Sequence, residues 1–180
     1  MKKWKKLSSK QLFNHSRIQV YEDQVELPSG HKTSYVHFGK APDAACIIAI
    51  NDVGKILIQK EYSYPPNEWL YQLPGGALET NETPETGAAR EFAEEAQLTG
   101  EFTSLGWFYL DNRRRPSKFY VFLATNLQPK KTKNDPEEEF VDYWFTPHEI
   151  DTMIAAGDIV NYSLLSAWAM YKARLLSSSP

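Results

Sequence analysis

Along the first forty residues, apolar and polar side chains alternate with the period of a half-buried strand, in RIQVYEDQVEL and again in TSYVHF. The turn-forming PSGHK between them predicts a hairpin. AACIIAI and KILIQKEYSY, joined by the turn NDVG, are almost continuously apolar where they meet, which predicts a second strand pair in a central position. PPNEWLYQLPGG then punctuates the chain with prolines and glycines. Beyond it the period lengthens. At ~100° per residue, Ala88, Ala89, Phe92, Ala93 and Ala96 share one face of a helix of about fifteen residues. Thr83 and Pro84 suit its cap and first position, and Thr99-Gly100 suits its stop. FTSLGWFYL and KFYVFLAT predict strands on either side of the basic loop DNRRRPS. The polar stretch NLQPKKTKNDPEEE then leads to a strand, FVDYWF, and to two helices, TPHEIDTMIAAG and YSLLSAWAMYKARLL. Strands outnumber helices without a regular βαβ alternation, so the expected class is α+β, a mixed sheet covered by helices.

Composition narrows this picture. A chain of 180 residues with 42% hydrophobic content supports one ordinary core. The formal charge of -3 argues against a broad basic face for nucleic acid, so an anionic ligand has to be met locally. Cys46, the single cysteine, sits inside AACIIAI and reads as a small buried residue. The basic start MKKWKKLSSK lacks the apolar segment that would make it a signal peptide, and no run approaches the ~20 apolar residues that span a bilayer. A cytoplasmic protein without membrane or nucleic-acid partners is the expectation. His15, His31, His37 and His148 have no metal-ligand spacing.

The charge pattern within the central helix calls for an explanation. Six glutamates lie between Glu79 and Glu95, against Arg90 alone. Glu91, Glu94 and Glu95 fall within an arc of about 100° opposite the apolar face, and like charges at that spacing cost a helix a few tenths of a kcal/mol per pair. A solvated helical face is one reading. A hard divalent cation is the other, because Mg²⁺ takes oxygen ligands and pairs one or two carboxylates with waters and substrate phosphates.

The wider spacing favours the cation. From Gly76, five residues lead to Glu82, seven more to Arg90-Glu91, and then follow Phe92, Ala93, Glu94-Glu95, Ala96, Gln97 and Leu98. This pattern closely resembles the Nudix box, the signature of hydrolases that cleave nucleoside diphosphates linked to another moiety. The resemblance implies an α/β/α sandwich with a mixed sheet. It also implies Glu91 and Glu95 as principal Mg²⁺ ligands (Mn²⁺ as a substitute), Glu94 as a further one, and the Gly75 carbonyl in the same shell. Arg90 would orient the glutamates. Gln97 departs from the usual glycine and puts the backbone turn there, more than the ligands, in question.

KEYSYPPNEWLYQLPGGALE resembles the matching segment of the ADP-ribose and ADP-sugar pyrophosphatase branch. That likeness implies an N-terminal antiparallel hairpin subdomain over residues 1–40 that dimerises, and a Nudix hydrolase domain over 41–180. Two departures stand out: Ser63 replaces an arginine after Tyr62, and DNRRRPSKF replaces a Ser-Pro-Gly type loop. Arg113, Arg114 and Arg115 either restore the lost phosphate contact or form an exposed basic loop. Trp69, Trp4 and Tyr62 are the aromatic candidates for the substrate. The general base is expected from DPEEEF, Glu138 first, then Glu139 and Glu137, unless these are a solvated acidic turn. The expected reaction is Mg²⁺-dependent hydrolysis of a nucleoside diphosphate sugar, above all ADP-ribose, by a homodimer. Another Nudix substrate (a different NDP-sugar, a dinucleotide cofactor, a nucleoside triphosphate) and a non-catalytic nucleotide-binding regulator are the alternatives.

Overall fold

The computed structural model describes residues 2–132 and 139–178, which divide into two units. The first comprises Met1–Pro42 and Tyr109–Lys118. Its sheet is a three-stranded antiparallel meander, β1 (Lys5–Asn14), β2 (Gln19–Glu26) and β3 (Lys32–Phe38). The predicted hairpin is the β2–β3 pair, and β1 is an addition that the lysine-rich KKLSSKQLFN did not signal. Every residue of β1 is exposed, so no apolar alternation marks it. Side chains help to hold it: Asp23 of β2 accepts from Ser9 Oγ at 2.5 Å and pairs with Lys6 Nζ at 3.1 Å.

The second unit is Asp43–Phe108 with Phe119–Pro180. It contains β4 (Ala44–Ala49), β5 (Ile56–Ser63), β6 (Glu68–Gln72), α1 (Pro84–Ala96), β7 (Leu98–Tyr109), β8 (Lys118–Pro129), β9 (Phe140–Phe145), α2 (Pro147–Ala156) and α3 (Tyr162–Ser178). Three differences from the sequence pattern appear. β4 and β5 are not a ladder pair. β4 runs parallel to β8 in the sheet β4-β8-β7, whereas β5 lies between β6 and β9 in a second, antiparallel sheet. β4 also binds the segment before α1: Ile47 N–H donates to Pro74 O and Ala45 N–H to Gly76 O, both at 2.9 Å. Residues 68–72, to which the proline- and glycine-punctuated stretch assigned no element, form β6, because Pro65, Pro66 and Gly75 flank rather than interrupt that run. Finally, α1 stops at Ala96, and Thr99-Gly100 already belongs to β7.

The alternation of β4 and β5 builds the layers. Ala45, Ile47, Ala49 and Leu57 pack with Ala88 and Phe92 of α1. Their neighbours Cys46, Ile48, Ile56 and Ile58 pack with Ile150 of α2 and Leu164, Ala167, Trp168 and Tyr171 of α3. Strands apolar on both faces demand a cover on each, and the result is the α/β/α sandwich. Cys46 is buried as expected, and desolvation pushes its thiol pKa up, away from any nucleophilic role. Among the described residues, no helix is long and apolar enough to cross a membrane.

Candidate active site

Local sequence fixes the box helix at both ends. Thr83 caps α1, accepting from Thr86 N–H at 3.2 Å while Thr86 Oγ1 accepts from Thr83 N–H at 3.0 Å, and Pro84 occupies the first turn. At the other end Gln97 takes φ 54°, ψ 33°, the left-handed conformation that glycine adopts at least cost. Its side chain offsets that cost. Nε2 donates to the carbonyls of Ala93 and Glu94 at 3.3 and 3.0 Å and to Thr132 Oγ1 at 2.9 Å. Oε1 accepts from Thr132 N–H at 2.9 Å. The turn that the missing glycine would make is therefore present.

Arg90 is the positive charge around which the acidic residues gather. Its Nε and Nη2 grip both oxygens of Glu82 at 2.8 and 3.0 Å, while Nη1 meets Glu94 Oε2 at 2.9 Å and Glu91 Oε1 at 3.0 Å. Nη2 also donates to Ala77 O at 3.1 Å, tying the helix to the loop before it. The hydrogen bonds from Arg90, with that from Glu79 N–H, pull the Glu82 pKa down to about 2, and the same contact raises that of Arg90.

Glycine makes room for this arrangement. A Cβ on Gly76 would lie 2.7 Å from the Glu91 carboxylate carbon. Gly75 has φ 142°, a Cβ there would meet Ala45 O at 2.1 Å, and its N–H donates to Glu95 Oε2 at 2.7 Å. The loop backbone and the helix carboxylates are thus in direct contact.

The donor set fits a hard divalent cation in its chemistry: three carboxylates spaced within little more than one helical turn, and the backbone of Gly75 against the last of them. Glu91 and Glu94 are turned to Arg90 and Glu95 to Gly75. Among the described residues, no three acidic, histidine or cysteine side chains converge on one point that could hold a metal ion.

The other candidates scatter. Glu137 and Glu138 lie outside the described residues, and Glu139 is exposed immediately before β9. Arg113, Arg114 and Arg115, with Tyr35, His37 and Tyr109, line an open cavity of about 610 Å³ in the first unit. Arg114 Nη1 donates to Val36 O at 2.6 Å with its guanidinium over the Tyr35 ring, and Arg115 lies 4.6 Å over Phe38. Arg113 contributes its carbonyl to Tyr35 Oη, and among the described residues its guanidinium has no acceptor. Trp4 meets Tyr35 edge-on at 5.9 Å in the same unit. Tyr62 and Trp69 pair edge-on at 5.7 Å. They stand on the face of β5 and β6 shared with Ile58 and Ile56, which pack against α2 and α3.

The opposite face carries residues the sequence reading passed over. Starting at Leu57 and Trp144, which pack with α1, the cross-strand set Gln59, Gln72 and Asp142 comes next, then Glu61. Gln59 is fully buried; its Nε2 donates to Asp142 Oδ1 at 3.1 Å, and its Oε1 has no partner among the described residues. Gln72 Nε2 donates to Glu61 Oε2 at 2.6 Å. The available signal was the pair of polar residues at alternate positions, 59 and 61, directly after the apolar ILI.

Comparison with known proteins agrees with this geometry. The profile of the NUDIX domain matches residues 40–166. The chain is 34% identical over 140 residues to the ADP-ribose pyrophosphatase of Bacillus subtilis (strain 168), covering 77% of this chain and 75% of that protein. It is 31% identical over 142 residues to the methanol dehydrogenase activator of Bacillus methanolicus, with the same shares covered. A crystal structure of an ADP compounds hydrolase superposes with a TM-score of 0.91 at 18% identity, over 99% of this chain and 97% of that one. This last likeness is one of fold.

Proposed function

Because the chain belongs to the Nudix family of pyrophosphohydrolases, we propose that it hydrolyses the diphosphate bond of a nucleoside diphosphate sugar, ADP-ribose first, with Mg²⁺ as cofactor. The observation that carries this reading is the Arg90-centred set of Glu82, Glu91 and Glu94 beside Glu95 and Gly75. The pyrophosphatase of Bacillus subtilis supports the choice of substrate.

Glu91, Glu95 and Glu94 would hold the cation with the Gly75 carbonyl. When bound, it supplies charge neutralisation of the diphosphate and a lowered pKa for the attacking water. Arg90 keeps the carboxylates in register from behind, and Gly76 leaves the Glu91 carboxylate its space against the loop. A carboxylate of the segment before β9, Glu138 with Glu139 and Glu137 as neighbours, takes the proton of the attacking water. Water adds to one phosphorus and the bridging P–O bond breaks, leaving AMP and ribose 5-phosphate from ADP-ribose. In the first unit, Arg113 has the charge and Tyr35 and Trp4 the flat faces to hold a nucleotide phosphate and base.

Incubating the protein with ADP-ribose and Mg²⁺ and resolving the products by chromatography tests the reading. AMP and ribose 5-phosphate in equal amounts are expected. Binding without turnover would point instead to a nucleotide-binding regulator, and release of free adenine would contradict attack within the diphosphate.

The N-terminal subdomain is assigned to homodimer formation. Leu7, Leu12 and Phe13 are all large, apolar and exposed on β1. Light scattering at micromolar concentration should give twice the chain mass, and a monomer would remove the assignment.

A further inference from the structure

We propose that the face of β5, β6 and β9 bearing Gln59, Glu61, Gln72 and Asp142 binds the uncharged, polyhydroxylated half of the substrate, with Glu61 and Asp142 as specificity-determining acceptors for sugar hydroxyls. The inference rests on the diphosphate-hydrolase reading and specifies which substrates that site prefers.

Placement comes first. Gln72 leads through Leu73 and Pro74 into Gly75, whose N–H meets Glu95. Three residues of extended chain span at most about 11 Å, so the Gln72 end of this row lies within that distance of the loop backbone that meets the box carboxylates, and Gln59 and Asp142 follow across the sheet. Leu57 and Trp144 on the same face pack with α1, so the row emerges from beneath the box helix.

Charge comes second. Cross-strand register puts Leu57, Gln59, Glu61 and Ser63 of β5 on this face with Gln72, Leu70 and Glu68 of β6 and Trp144, Asp142 and Phe140 of β9. Leu57, Leu70, Trp144 and Phe140 are its apolar members; its polar members are Glu61, Glu68, Asp142, Gln59, Gln72 and Ser63, with no lysine or arginine among them. Lys60 points the other way, with Nζ 4.9 Å from the Tyr71 ring. Such a face repels a further phosphate. It welcomes hydroxyl donors, since an ionised carboxylate only accepts hydrogen bonds.

The buried amide supplies the third observation. Gln59 commits its Nε2 to Asp142 Oδ1 at 3.1 Å and, among the described residues, leaves Oε1 without a donor in the interior beneath the row. A buried unmet acceptor is costly and calls for a reason. The other end of the amide, Nε2, fixes Asp142 from below, and the exposed carboxylate is left to accept from outside. Gln72 does the same for Glu61 from the side, at 2.6 Å.

The test is a matched pair of substrates, ADP-ribose and the β-methyl ester of ADP, which share the diphosphate and differ in the hydroxyls. Wild-type kcat/KM should favour ADP-ribose by about tenfold or more. In Asp142→Ala and in Glu61→Gln, the loss on ADP-ribose should exceed the loss on the methyl ester by about tenfold, and in Asp142→Lys the preference should swing towards ATP. Parallel losses on both substrates, or an undiminished preference for the sugar, would overturn the assignment. Wild-type protein that cleaves neither substrate would overturn the hydrolase reading and this inference together. A collapse of the ratio alone in a protein that still hydrolyses the ester cannot come from misfolding.

Discussion

Arg90 and the triplet Arg113–Arg115 are both cationic centres in an acidic chain, and they are built in opposite ways. Arg90 spends its guanidinium on side chains: both oxygens of Glu82, then Glu91 and Glu94, all within nine residues of it. In the triplet, Arg114 and Arg115 are anchored by backbone and rings far away in sequence, Arg114 to Val36 O and Tyr35 and Arg115 to Phe38, while the Arg113 guanidinium has no acceptor among the described residues. A charge enclosed by opposite charges organises those charges for something else. A charge without a carboxylate partner, beside neighbours held by carbonyls and aromatic faces, keeps its field outward. The same residue type thus serves as scaffold in one place and as a candidate anion contact in the other.

The largest effect should come from the first centre. Glu95→Gln keeps shape and can still accept from Gly75 N–H, so it removes charge and little else. Turnover on ADP-ribose should fall by roughly a thousandfold, the scale of a lost transition-state charge contact, while the metal-free melting temperature stays level or rises, because one like charge leaves α1. Steady-state kinetics with calorimetry checks both. Near wild-type turnover would take Glu95 out of the metal shell. Arg90→Lys should also be severe, since a lysine cannot grip Glu82 through two parallel bonds.

The second centre should respond in affinity. Arg113→Ala is expected to raise KM about tenfold with kcat nearly unchanged, the signature of lost uniform binding. Arg114→Ala should act on the melting temperature instead, because its guanidinium is committed to Val36 and Tyr35. If Arg113→Ala leaves KM unmoved, the triplet is only a basic loop and the contrast with Arg90 loses its functional half.

The same contrast explains what could be read from the sequence. The box network closes within Gly75–Gln97, so the resemblance carried by that local spacing announced Glu82, Arg90, Glu91, Glu94 and Glu95. The helices after Thr83 and Thr146 were equally legible, because each opens on a threonine-proline cap that the structure confirms. Contacts that close over long distances left little trace. β1 joins its sheet through polar side chains, β4 finds β8 more than seventy residues on, and the Gln59–Asp142 pair spans 83 positions. Local periodicity carries no information about which strand will be the partner.

Acid should weaken the first centre selectively. Glu82 is pulled down to about 2 from an ordinary 4.5 by Arg90 and Glu79 N–H. Because the folded-state value is depressed, the stabilisation is complete above about 4.5 and is lost as pH falls from there towards about 2. Melting temperatures in metal-free buffer should drop through that window, and Glu82→Gln should flatten the drop while lowering stability at neutral pH. Identical slopes in the two proteins would mean that the Arg90–Glu82 pair contributes nothing to folding.

The smallest effect belongs to Gln97, where the box departs from its pattern and is repaired by a distant partner, as the triplet is. Gln97→Gly would relieve the left-handed strain, worth about 1 kcal/mol, and would lose the bonds from Nε2 to Ala93 O and Glu94 O and the exchange with Thr132. Because Nε2 shares two hydrogens among three acceptors and water can reach the freed groups, the whole set contributes only about 1–2 kcal/mol net, so Gln97→Gly should lower stability by about 1 kcal/mol or less. Gln97→Ala keeps the strain and loses the bonds, and should cost about 1–2 kcal/mol. Thr132→Val removes the hydroxyl that donates to Ala93 O at 2.6 Å and keeps the N–H that donates to Gln97, so in a Gln97→Gly background its remaining cost should shrink. A double-mutant cycle by urea unfolding measures that coupling. Full additivity would show that Gln97 and Thr132 act independently, and that the helix stop is made by backbone alone.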